Sequence, residues 1–343
     1  ASDVYKRQCI WNRGLGKMKR RSAFVVMTLL LITSVLIAIR VGSVSVTLED
    51  IVKAFTTSAK GTPGIVRDIR IPRVLMAVMV GANLAVSGVL LQGVMKNPMA
   101  DPGITGISSG ASVIVMIVML YFPGKAASLP LFGFIGGIGA CVAIYALAWK
   151  DGLSAVRIVL AGVAINSMLG GVTSLISLLN SENLQGVLNW LNGKLGGKSW
   201  TQVKWMGIYT FLGLVAANLL PRCCDLLALG DKNTRSLGYN PNLLRIIISA
   251  VAVFLAGIST AYVGVIGFIG LIVPHISRIL MGSEHKFLVP FSAVMGATVL
   301  LIADTIGRTV IAPYEIPVGV ITTVCGGPFF LYLLRKDSKG YGN

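Results

Sequence analysis

RIPRVLMAVMVGANLAVSGVLLQGVMKNPMADPGITGISSGAS, residues 70–112, holds the reading of the whole chain in one stretch. From Val74 to Val94 no charged side chain interrupts the run. About 20 apolar residues are what an α-helix needs to cross the hydrocarbon core of a bilayer. Pro98 and Pro102 then follow, with Gly103, Gly106 and Gly110, and together they forbid a continuous helix. Non-helical backbone at membrane depth is tolerated only where protein buries it or it lines a cavity. Asn97, Pro98, Asp101, Pro102 and Gly103 are therefore read as a gate or hinge, or as a tight turn. In either case Asn97 and Asp101 are placed to satisfy freed backbone groups.

The same pattern continues outward through all 343 residues, of which 55% are hydrophobic and only 13% charged, with a mean hydropathy of +0.80. A soluble domain carries roughly 25% charged residues, so this chain cannot cover a water-facing surface of ordinary size. Disordered chains are poor in apolar residues, and the 40 glycines keep no three-residue period. The class that remains is an all-α polytopic membrane protein. The length yardstick predicts ten spans, at 22–40, 74–94, 106–122, 129–149, 157–179, 203–220, 244–263, 265–281, 288–306 and 316–334. Residues 1–17 are polar, without period, and precede Met18; they read as a non-native or disordered extension. Residues 18–343 then form one transmembrane domain.

The net charge is +17, carried in short basic runs between apolar blocks. That is the pattern of loops beside anionic headgroups rather than of nucleic-acid binding. The bias of lysine and arginine places both termini in the cytoplasm. Arg67, Arg70 and Arg73 run against the bias. Pro72 disfavours helix at Ile71, so the next helix is expected to begin there, with arginines at the unfavourable end of its dipole. Short helices outside the spans are expected in Val46–Phe55, in 180–202 with Trp190 and Trp200 at headgroup level, and as a pair in 221–243. The five cysteines show no metal-binding or disulfide spacing and are read as free thiols.

Chemistry of its own is scarce in this chain. There is no nucleotide-binding loop, no GxSxG elbow, no HExxH, and only two histidines, His275 and His285. No catalytic residue, metal or cofactor is implied. A gradient-driven secondary transporter, the alternative reading, needs titratable groups near the midplane, and these are almost missing. Asp304 stands four residues before Arg308, the spacing of a helical ion pair, and His275 is expected to make a helix-packing hydrogen bond.

Residues 70–112 resemble the signature of the iron-siderophore, haem and cobalamin ABC-importer permeases, the FecCD family. LLALGDKNTRSLG (226–238), GFIGLIVPHISRIL (267–280), LLIADTIGR (300–308) and EIPVGVITTVCGGPFFLYLLRK (315–336) resemble further motifs of that family, in order. The resemblance implies a cobalamin-importer-like permease of about ten transmembrane helices in the bacterial cytoplasmic membrane. It implies three partners besides lipid: a second permease subunit, cytoplasmic ATP-binding subunits and an extracytoplasmic solute-binding protein. The cargo would be an iron chelate, ferric siderophore first and haem or cobalamin behind it. By the same resemblance, Arg70, Arg73 and Arg308 would face outward and dock the binding protein. Leu229, Gly230, Arg235, Ser236, Leu237 and Gly238 would couple to the ATPase.

Overall fold

The computed structural model describes residues 2–42, 46–56, 61–150, 152–181, 184–311 and 314–337. In chain order the helices are α1 (Ser2–Arg40), α2 (Leu48–Thr56), α3 (Thr62–Ile65), α4 (Ile71–Met95), α5 (Ile107–Tyr121), α6 (Leu129–Ala148), α7 (Ala155–Leu179) and α8 (Gln185–Leu191). Then come α9 (Trp200–Leu219), α10 (Pro221–Ala228), α11 (Asp231–Ser236), α12 (Pro241–Val263), α13 (Ile269–Met281), α14 (His285–Thr309) and α15 (Val318–Asp337). Side chains of α1 are described from Arg20 onward.

A helix stands at each of the ten predicted spans. Among the described residues, six are long and apolar enough to cross a membrane, and α9 with α10, bent by 46°, would make a seventh. The other three, α5, α13 and α15, are apolar but shorter. Two of these have an evident reason: α5 and α13 begin partway along the bundle. Gly270, at the start of α13, packs on Gly88 and Leu84 in the body of α4, and on Pro102 just ahead of α5.

Helix α4 is the hub. Nearly all its side chains are buried, and it packs along α14, α12, α13 and α9. Glycine makes its closest crossings possible. A Cβ on Gly81 would collide with the Gly296 carbonyl of α14, and one on Gly88 with the Gly270 carbonyl of α13. Lipid tails are as apolar as leucine, so close backbone contact of this kind supplies much of the association between membrane helices. Helices α1 and α7, by contrast, leave most of their apolar surface uncovered by the rest of the chain.

Three expectations are corrected. Ile71 is helical after all (φ −61°, ψ −48°), because a π-helical turn at Val66–Arg70 joins α3 to α4. A π turn reaches one residue further back for its hydrogen bonds, which accommodates the N–H that Pro72 lacks. The arginines therefore do not open a helix, and Thr62–Met95 forms one continuous span. Trp190 is buried against Ala111 and Val115 of α5 rather than placed at a headgroup. Trp200 is exposed, its indole N–H donating to the Arg67 carbonyl at 3.2 Å. Finally, His275 has no hydrogen-bond partner among the described residues, and the bonded histidine is His285, whose Nδ1 lies 2.6 Å from Asp225 Oδ1.

Candidate functional site

Three places carry the candidate residues: the break between α4 and α5, one end of the bundle rich in arginine, and the opposite end formed by α10 and α11. At the break, Lys96 ends α4 in the left-handed region (φ 49°), its N–H returning to the Gln92 carbonyl. Asn97 Oδ1 then accepts from Met99 N at 2.9 Å, and Asp101 Oδ1 accepts from Gly103 N at 2.8 Å. These side chains replace the helical partners that Pro98 and Pro102 remove, as the sequence led us to expect. A second break at Gly264–Phe268 lies beside it. Between the two is a cavity of about 180 Å³, lined in part by Asp101, Ser108, Asn166, Thr260 and Gly267. Asn166 spans it, donating to the Gly103 carbonyl at 3.1 Å. The break is thus both turn and cavity wall, held by polar side chains.

At the arginine end, Arg70, Arg73 and Arg308 are brought together but are buried, 5%, 8% and 6% exposed. Arg70 donates from Nη1 to the carbonyls of Ile39 and Arg40 at 2.7 and 2.8 Å, capping the negative C-terminus of α1. Arg73 grips Asp304 through Nε and Nη2 at 3.0–3.1 Å and Glu315 through Nη1 at 2.9–3.0 Å. Arg308 Nε lies 3.3 Å from Asp304 Oδ2, the i,i+4 pair foreseen, and its Nη2 donates to the Ala38 carbonyl at 3.2 Å. Asp304 is thus shared, and the better geometry goes to Arg73. What this end exposes is Arg67, Asp68 and Glu315, the last with a side chain 46% exposed. Lys198 also stands here, its Nζ donating to the Tyr262 carbonyl at 2.6 Å. Burial, and then the nearby charge of Lys194, push its ammonium down to about 8.

At the opposite end, Cys224 and Leu227 root α10 in the core. Gly230 (φ 95°) then turns the chain, and Gly238 (φ 83°) closes α11. Both φ values favour glycine, while no atom stands within 4 Å of either missing Cβ. The buried Thr234 hydroxyl ties α11 back through the carbonyls of Leu226 and Gly230, each at 2.8 Å. The outer face is left free: Leu229 and Leu237 are 54% and 56% exposed, beside exposed Arg235 and Ser236. Beneath it, Asp231 binds Arg245 and Lys96. Burial alone would raise the Asp231 carboxyl, but the hydrogen bond and charge of Arg245, then those of Lys96, hold it below the usual carboxylate range.

Sequence reasoning missed Glu315, Asp231, Arg245, Lys96 and the Asp225–His285 pair. Only Asp225 and Asp231 carried a signal, as the two acids of 221–243.

Residues 30–336 match the model of the FecCD transport family. The chain belongs to that family. Among its relatives, the Fe(3+)-citrate import system permease protein YfmD of Bacillus subtilis (strain 168) is 36% identical over 324 residues, covering 93% of this chain and 97% of the relative. The protein named probable heme-iron transport system permease protein IsdF, of Staphylococcus aureus (strain bovine RF122 / ET3-1), is 38% identical over 323 residues, covering 94% and 98%. The fold superposes with a TM-score of 0.82 on a metal-chelate type ABC transporter in an inward-facing conformation, at 28% identity, covering 92% of this chain and 99% of that one. This FecCD chain is a multi-pass membrane protein, the permease subunit of an ABC transporter.

Proposed function

We propose that this chain is the membrane-spanning permease subunit of an ABC importer that carries an iron chelate, a ferric siderophore or hydroxycarboxylate first and haem next. The observation that carries the reading is likeness along almost the whole chain, both to permeases named for iron import and to a metal-chelate transporter. The chain sits in the bacterial cytoplasmic membrane with both termini in the cytoplasm. Energy comes from a separate ATP-binding subunit docking on Leu229, Gly230, Arg235, Ser236, Leu237 and Gly238. The exposed leucines beside a basic side chain suit a cleft on such a partner. A second permease subunit covers the apolar faces that α1 and α7 leave open, and an extracytoplasmic solute-binding protein docks on the arginine end.

There Arg70, Arg73 and Arg308 act from beneath the surface. Three guanidiniums around Asp304 and Glu315 leave a net positive field, which draws acidic partner groups, and Arg67 meets them first. At the break, Asn97, Pro98, Asp101, Pro102 and Gly103 form the hinge of the gate. Alternation of access is then a rocking of packed helices. The sparsely charged path suits a bulky chelate rather than a coordinated ion.

The test is uptake of labelled chelate into proteoliposomes holding the permease, the ATPase and the binding protein. Uptake is expected only with ATP inside and all partners present. Accumulation against a gradient by this chain alone would overturn the reading.

A further inference from the structure

We propose that Asp231 is a positioning residue for energy transfer: its carboxylate fastens α11 to the ends of α4 and α12, so that force on α11 reaches both spans. The proposal rests on the reading of Leu229–Gly238 as the ATPase-docking segment, and adds the part that transmits.

The geometry is that of a junction. Asp231 is the first residue of α11. Its Oδ1 accepts from Arg245 Nη2 at 2.7 Å and from Lys96 Nζ at 3.2 Å, and its Oδ2 accepts from Arg245 Nη2 at 3.0 Å. Lys96 is the cap that ends α4, and Arg245 lies in the first turns of α12. Arg245 reaches further: its Nη1 donates to the Leu153 carbonyl at 3.2 Å, in the connection between α6 and α7. One carboxylate thus joins the docking segment to the ends of two central helices and, through one guanidinium, to the turn between two more.

A surface ion pair would not carry this argument, since such pairs contribute little. Here the Arg245 side chain is 7% exposed, and its Nε has no partner among the described residues. Asp231 is therefore the group that neutralises a buried cation, and such a charge is costly to leave unpaired. The segment has a second tie, because Asp225 in α10 holds His285 at the start of α14. A variant at Asp231 keeps that anchor and the apolar root of α10, so attachment and transmission can be separated.

The experiment uses the complete importer in proteoliposomes, reading ATPase co-purification, ATP hydrolysis and chelate imported per ATP. Asp231→Asn is expected to keep the ATPase bound and hydrolysing while import per ATP falls about tenfold, the order set by losing one charge-assisted hydrogen bond to a buried partner. Asp231→Glu is expected to recover most of it. If the Asp231→Asn permease fails to fold, the double variant Asp231→Asn with Arg245→Met removes the stranded charge as well, and is expected to fold, to keep the ATPase bound and to remain uncoupled. Normal import per ATP in either assembled variant overturns the proposal and leaves the docking reading standing. Loss of the ATPase from an otherwise folded Asp231→Asn permease also overturns it, because Asp231 would then serve docking. The docking reading has its own control: Leu237→Cys should cross-link to the ATPase, and failure to do so removes that reading and the proposal with it.

Discussion

The two ends of the bundle use charge in opposite ways. At the arginine end, Arg70, Arg73 and Arg308 are turned inward, and their partners belong to the same chain: α1 carbonyls, Asp304 and Glu315. At the other end, Asp231 and Asp225 hold the α10–α11 unit from below, while its leucines are left to solvent. Cations at the first end join helices that have to stay together. Acids at the second hold a small unit whose free face is available to another protein. A charged residue near a membrane surface therefore does not declare its role by its sign or depth; its partners do.

The comparison breaks most sharply at Arg73. Arg73→Met leaves Asp304 buried beside Arg308 alone, and removing one partner of a buried pair costs about 3–5 kcal/mol. A large drop in the thermal midpoint in detergent is expected. A variant as stable as the parent would mean that the arginine end is not held by its charges. At the opposite end Gly230→Val tests the reverse. With open space around the Cβ but φ at 95° and ψ at 154°, a conformation essentially reserved for glycine, the cost is local backbone strain, roughly 1–3 kcal/mol. The midpoint should move little while chelate imported per ATP falls severalfold. If both fall together, the α10–α11 unit is part of the core rather than an appendage to it.

Lys198 gives the smallest effect and the finest distinction. Its folded value of about 8 lies below the unfolded lysine value of about 10.4. The folded state thus disfavours the charged amine, and stability should rise as pH climbs from about 8 towards 10.4. Lys198→Met should raise the midpoint slightly at neutral pH and flatten that rise. A midpoint falling over the same interval would mean that the amine has found a counter-charge.

The helices were legible because apolar length is a local property: each predicted span meets a helix, and the short pair in 221–243 stands where composition placed it. The Asp304–Arg308 pair was legible for the same reason, being one helical turn apart. Arg73 could not be read that way. Its partners lie 231 and 242 residues along the chain, and nothing in RIPR says whether an arginine faces a partner protein or a neighbouring helix. Pro72 misled because a rule about α-helices does not cover the wider turn that admits it. Trp190 misled because indole suits an interface and a gap between helices equally well. At the break, proline and glycine announced the turn, but the adjoining Gly264–Phe268 segment and the cavity between them are products of folding.

The glycine crossings of α4 with α14 and α13 bring main chain directly against main chain. A layer of side chains can shear by changing rotamers, whereas main chain against main chain has nothing to rearrange. Those contacts therefore resist sliding of α4 past α13 or α14, and a bulkier residue at Gly81 or Gly88 has to push two backbones apart.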